Sequence, residues 1–142
     1  MSATAYPYNL LATPELLIDN VVAQAVTFNG TARNINVWAG AQAPFKGAIF
    51  LINTTVSTGT TPTLTAQLQI QDPTSSNWVN VPGAVTATIN TNTTTLLYVY
   101  PGTIETANAR VSYSLSSRIR FVYTIGGTTP SFSFTNTGIL VP

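Results

Sequence analysis

The side chains able to do acid–base, nucleophilic or metal chemistry are few: Glu15, Asp19, Asp72 and Glu105, the single lysine Lys46, and Arg33, Arg110, Arg118 and Arg120. Histidine and cysteine are both absent. Without imidazole, a Ser-His-Asp arrangement has no base and most zinc sites have no ligand. Without thiols there is neither thiolate chemistry nor a disulfide framework. Glu15 and Asp19 stand four residues apart, which on a helix would let them share a cation. The simpler explanation is Glu15 at the positive end of a short helix. Asp72 precedes Pro73, where an aspartate bonds to its own backbone and starts a turn, and Glu105 lies in a polar loop. A two-carboxylate glycosidase pair made from these acids has no further support in the sequence. Lys46, between Phe45 and Gly47, reads as an exposed loop residue and not as a Schiff-base nucleophile. The expectation is a non-enzyme with no catalytic, cofactor-binding or metal-binding residues.

What replaces charge is hydroxyl and amide. The 142-residue chain has 6% charged residues, against about 25% in ordinary globular proteins, and it holds 25 Thr, 12 Asn and 10 Ser. Threonine is β-branched and suits a pleated sheet, so the same enrichment that solvates the surface also favours strands. A formal net charge of +1 offers no basic field for nucleic acid, whose binding rests on neutralised phosphates. No run approaches the roughly 18 apolar residues of a spanning helix. Short apolar runs and Asn/Thr-rich segments favour a soluble β-sandwich over an outer-membrane barrel. The opening residues lack the basic start and apolar core of a secretory signal, so the chain reads as unexported or already mature. A neutral surface repels itself little and needs little desolvation, which suits assembly contacts.

The elements that must position these residues read as strands almost throughout. Thr13-Pro14-Glu15-Leu16-Leu17-Ile18-Asp19-Asn20 has a cap, a first-turn proline and an acid, and is the one candidate for a short helix, with an extended reading equally open. Before it, Tyr6-Pro7-Tyr8-Asn9-Leu10-Leu11 lacks clear alternation and reads as an arm. From residue 21 the period becomes two. Val21–Phe28 and Ile35–Trp38 flank the turn pair Asn29-Gly30 and suggest a hairpin or an early strand pair. Ala48–Asn53 is a continuous apolar run, as a sandwich-core strand would be. Leu64–Gln71 alternates leucine, alanine and isoleucine with threonine and glutamine, the pattern of a half-buried strand. Asp72–Asn77 is a loop and Pro82-Gly83 a turn. Leu96–Tyr100 closes at Pro101-Gly102, and strands follow at Val111–Leu115, Ile119–Ile125 and Phe132–Val141. Gly59-Thr60-Thr61-Pro62 recurs as Gly127-Thr128-Thr129-Pro130, and each copy reads as a hairpin loop. The expected architecture is all-β, an antiparallel, jelly-roll-like sandwich of about eight strands over residues 21–142, preceded by an extended arm over residues 1–20.

The order of features from Ile49 to Val141 resembles a family of small tailed-phage virion proteins of β-sandwich type. The resemblance rests on Ile49-Phe50-Leu51, on Gly59-Thr60-Thr61-Pro62-Thr63-Leu64, and on Asn77-Trp78-Val79-Asn80-Val81-Pro82-Gly83. It continues through Arg118-Ile119-Arg120-Phe121-Val122-Tyr123 and covers about two thirds of the chain. It implies a capsid decoration or head-stabilising protein, a homo-oligomer such as a trimer, bound to the major capsid protein on the outside of a virion assembled in the host cytoplasm. Neither nucleic acid nor membrane is an expected partner. The residues expected at contacts are Tyr6, Tyr8, Leu10 and Leu11 of the arm, since aromatics without a core of their own make interface anchors. Arg118 and Arg120 join them because period two puts both on one strand face. Trp78 reads as core. A carbohydrate- or receptor-binding module, or another head-tail or tail component, are the competing readings.

Overall fold

The computed structural model describes residues 15–35, 37–38, 41–42, 45–115 and 118–142, and every regular element among them is a β-strand. In chain order these are β1 (Glu15–Gln24), β2 (Phe28–Asn29), β3 (Arg33–Asn34), β4 (Val37–Trp38), β5 (Ala41–Gln42), β6 (Gly47–Gln71), β7 (Trp78–Val85), β8 (Thr94–Val99), β9 (Arg110–Val111) and β10 (Arg118–Val141). β4 and β5 pair with each other, and the other strands form one eight-stranded sheet. Its main path runs β9-β8-β6-β10-β1, with β7 also on β6 and with β2 and β3 on β10. All pairings are antiparallel except β9 with β8.

The backbone of this arrangement is the ribbon of β6 and β10, 25 and 24 residues long and paired from Ile70↔Ile119 to Gly47↔Val141. Straight, 25 strand residues would reach about 80 Å, whereas a domain of this length has a radius of gyration of about 14 Å. The ribbon therefore has to bend. It does so at the two Gly-Thr-Thr-Pro segments, which are not hairpin loops as the sequence suggests but lie opposite one another, with Thr60 facing Thr128 between two register shifts. Both copies take the same conformation: φ is +112° at Gly59 and +107° at Gly127, and +48° at Thr61 and +47° at Thr129. A side chain on either glycine would strike the facing copy's backbone, the Thr128 and Thr129 carbonyls for Gly59 and the Thr60 and Thr61 carbonyls for Gly127. The repeat therefore packs against itself, related by an approximate two-fold axis.

Bending brings the ribbon's two ends into contact through their buried faces. Phe50, which pairs with Gly138 at one end, meets Phe121, which pairs with Leu68 at the other, edge to face at 4.8 Å between centroids. Tyr123 and Phe134 approach to 4.8 Å as well. Leu64, Ala66, Leu68, Ile119 and Phe121 from one half, and Ile18, Ile52, Leu97, Phe132 and Phe134 from the other, belong to a single buried cluster. Each fully buried aromatic or aliphatic side chain there contributes roughly 1.5–3 kcal/mol of transfer free energy.

Several local expectations change. Glu15–Asn20 is strand and not helix, because β1 gains a full ladder with β10 that a short isolated helix cannot match. The sheet therefore takes in residues 15–20. Residues 1–14 lie outside the described residues. Among the described residues no hairpin forms around Asn29-Gly30; β2 and β3 both pair with β10, and the Gly30 N–H continues that ladder to the Phe121 carbonyl at 2.7 Å. Although continuously apolar as far as Ile52, Ala48–Asn53 alternates between buried and outward residues, since this part of the sheet has a core on one side only. Pro82-Gly83 makes a bulge within β7 and not a chain reversal. The partners of Gln69 and Gln67 jump from Asn80 to Val85, and the Gln67 amide fills the gap by donating to the Val81 and Ala84 carbonyls at 3.1 Å. Of the expected Val111–Leu115 strand only Val111 lies in a strand, joined there by Arg110 in β9.

The paired kinks set a measurable contrast. Gly59→Ala and Gly127→Ala are expected to destabilise the protein by similar amounts, each above the roughly 1–2 kcal/mol that positive φ alone costs an alanine. Gly102→Ala, at φ +87° with open space around it, is expected to lose only that smaller amount. Urea denaturation of the three variants compares them directly.

Candidate interaction surface

The most chemically distinctive side chains lie in the interior. The β1–β10 register slips between Asn136 and Thr137, and the bulge turns two successive β1 residues, Ile18 and Asp19, inward. A carboxylate removed from water requires donors. Tyr123 donates its hydroxyl to Asp19 Oδ2 at 2.6 Å, and the Thr31 N–H donates to Oδ1 at 2.9 Å. Asn136 Nδ2 donates to the Tyr123 hydroxyl oxygen at 2.9 Å, so proton donation runs one way, from amide to phenol to carboxylate. Arg33, whose Nε bonds the Ile18 carbonyl at 2.9 Å, brings positive charge to the same region. Burial first, then the charge of Asp19, raise the Tyr123 phenol far above its ordinary 10.0. Rings of Phe28 and Phe134 close over it, and a Cβ on Gly30 would overlap both Asp19 and Tyr123. With Asp19 5% and Tyr123 0% exposed, no substrate reaches this pair. It ties β1, the segment after β2 and both halves of β10 together.

The other acids have structural places. Glu15 is exposed on the outer side of β1, whereas the bulge sends Asp19 inward, so their four-residue spacing does not bring them to one site. Asp72 is fully exposed at the β6–β7 turn and accepts from the Thr74 N–H at 2.8 Å and the Ser75 hydroxyl at 2.9 Å. Those bonds hold its carboxyl below its ordinary 3.8. Glu105 accepts from the Ser112 N–H at 3.3 Å. Lys46 is an exposed residue before β6.

What the fold presents to solvent is a pair of sheet faces. On the outer side of the 47–58 half of β6, the registers of five strands align Arg110, Tyr98, Ile49, Ile139 and Glu15 in one row. Beside it runs Leu96, Leu51, Thr137 and Leu17. Leu17 is 50% exposed and Leu96 39%. Arg110 lies over the Tyr98 ring at 4.3 Å, and a shallow depression of about 330 Å³ opens between Glu15, Leu51, Asn53, Thr94, Thr137 and Ile139. The other face is polar and cationic. Arg120 sits 4.4 Å over the Trp78 ring and donates to Gln69 Oε1 at 2.8 Å, and Gln69 donates in turn to Asn80 Oδ1 at 2.9 Å. Trp78 is therefore half-buried beneath an arginine, not in the core as expected, because it pairs with the last β6 residue, Gln71, at the end of its ladder.

Of the residues expected at contacts, Tyr6, Tyr8, Leu10 and Leu11 lie outside the described residues. Arg118 and Arg120 do share a face, Arg118 exposed and Arg120 half-buried. The apolar row is not evident from sequence, because Leu17 lies in a segment that fits a helix as well as a strand and Leu51 in a continuous apolar run like that of a sandwich core. The period-two spacing of Ile49 and Leu51 against Ala48, Phe50 and Ile52 was its available signal. The Asp19–Tyr123 pair, 104 residues apart in sequence, had none.

Tyr123→Phe removes the donor to Asp19 and is expected to cost about 1–3 kcal/mol of stability in denaturant titrations. In the intact protein, folding raises the Tyr123 pKa above its unfolded value, so the unfolded chain loses that proton first. Stability is expected to be full below about pH 10 and to fall as pH rises beyond it, and the variant is expected to lose this part of the alkaline decline. No family model, curated protein or solved structure matches the chain.

Proposed function

We propose that the protein is a virion structural protein, a capsid decoration or head-stabilising protein that binds an assembled shell as a homo-oligomer. One observation carries this reading: the outer face of β9-β8-β6-β10-β1 bears charge only at the two ends of its row and sets leucines half-exposed between them, in a chain without histidine or cysteine. Such a surface desolvates cheaply and suits many weak contacts multiplied over symmetry-related copies. The order of motifs from Ile49 to Val141, with its resemblance to phage virion proteins, supports the same reading. The architecture that goes with it is a β-sandwich in which the bent β6–β10 ribbon supplies strands to both layers, in keeping with the Phe50–Phe121 and Tyr123–Phe134 contacts. Contact with the shell falls to Tyr6, Tyr8, Leu10 and Leu11 and to the Arg118/Arg120 face. A carbohydrate-binding role calls for an open aromatic plane, and Arg120 covers that of Trp78.

The full-length protein is expected to co-sediment with purified tailed-phage capsids, and a chain starting at Thr13, which leaves β1 intact, is expected to fold but to bind them at least tenfold more weakly. A protein that ignores capsids yet is retained on a polysaccharide column would replace this reading with a glycan-binding one.

A further inference from the structure

From the outer row we infer that the β9-β8-β6-β10-β1 face is a self-association surface, covered by the same face of a second copy with Glu15 of each opposite Arg110 of the other. The row is Arg110–Tyr98–Ile49–Ile139–Glu15, one residue from each of five strands in register. Its ends carry opposite charges and its middle is apolar. Four inter-strand gaps separate those ends by about 19 Å. Each charge is out of hydrogen-bonding reach of the other within one copy.

A two-fold axis lying between two such faces, parallel to the strands and over Ile49, exchanges the ends of the row. Glu15 then meets Arg110 twice, Ile49 meets its own copy, and Tyr98 meets Ile139. This is the self-complementarity that an isologous contact requires. An axis along the row instead would set like charges together and is disfavoured. The neighbouring row adds Leu96, Leu51 and Leu17, which in a lone chain hold apolar surface in water. Arg110 suits the role, because its stacking on Tyr98 already fixes the guanidinium at the rim and leaves its donors for a carboxylate.

Size sets the strength. Four strands by five or six residues, with the two residues of β9 at the rim, cover roughly 400 Å² on each copy, about half of the ~800 Å² per partner in a stable interface. The isolated protein is therefore a weakly associating dimer, and multiple copies on a larger assembly would strengthen the contact by avidity. The inference deepens the homo-oligomer of the proposed function by giving it a surface, and because it is measured with no capsid present its failure is distinguishable from a failure of capsid binding.

Sedimentation equilibrium up to millimolar protein is the test. A monomer–dimer equilibrium is expected, with Glu15→Arg and Arg110→Glu each weakening it at least fivefold and the double swap restoring it to within about twofold. Leu51→Asp, near the axis, is expected to abolish association while leaving the circular dichroism spectrum unchanged. If that spectrum changes, Leu51→Thr serves in its place, with a fivefold or greater loss expected. A chain that stays monomeric at all concentrations, a trimer without dimer, or single and double charge variants that associate like the parent would each overturn the inference.

Discussion

The contact on which the rest of the structure depends is the one between the two Gly-Thr-Thr-Pro segments. Two strands of this length cannot run straight in a domain this small, and both bend at the same level through glycines whose φ values of +112° and +107° disfavour a side chain, each followed two residues on by a threonine that also has positive φ. The glycine hydrogens face the opposite copy's carbonyls, where any Cβ would collide. Because the copies oppose each other, each kink accommodates the other, and a single bend passes through both strands without breaking the ladder on either side. The strands added to β6 and β10 inherit their places from this ribbon.

A bend alone does not decide how the two ends meet, and polar chemistry in the core contributes there. A bulge turns Asp19 inward and Tyr123 reaches it, while Asn136 orients the phenol so that its proton points at the carboxylate. A buried charge with both oxygens engaged by donors tolerates little displacement, since losing either donor leaves it short in a low-dielectric interior. Apolar packing of Phe50, Phe121 and Phe134 supplies most of the driving force and is comparatively indifferent to small slips. The hydrogen-bonded set makes the register between β1 and β10 specific.

Scarcity of charge outside the core has a structural counterpart. With nine formal charges, the chain lets threonine, asparagine and glutamine occupy outward positions, and these satisfy one another locally, as Gln67 does in the β7 bulge and Gln69 does between Arg120 and Asn80. The few charges that remain stand at edges and turns: Glu15 and Arg110 at opposite ends of one row, Asp72 in its turn, Arg118 and Arg120 at the start of β10. Such placement leaves the middle of the Ile49–Leu51 face apolar.

Much of this was legible before the fold was known. Alternation along Leu64–Gln71, the turn at Asp72–Asn77 and the absence of imidazole and thiol each follow from neighbouring residues or from composition alone, and the all-β class came with them. The two Gly-Thr-Thr-Pro segments were visible as a repeat, yet their meaning was not, because a glycine that opens a hairpin and a glycine that kinks a paired strand carry the same local signal. Pro82-Gly83 misled in the same way. Leu16-Leu17-Ile18 satisfied a helical start as well as a strand until β10 offered hydrogen bonds along its length. The outer row and the Asp19–Tyr123 pair belong wholly to tertiary structure: both are made by registers between strands far apart in sequence, and a bulge of one residue is enough to move a side chain from one face of the sheet to the other.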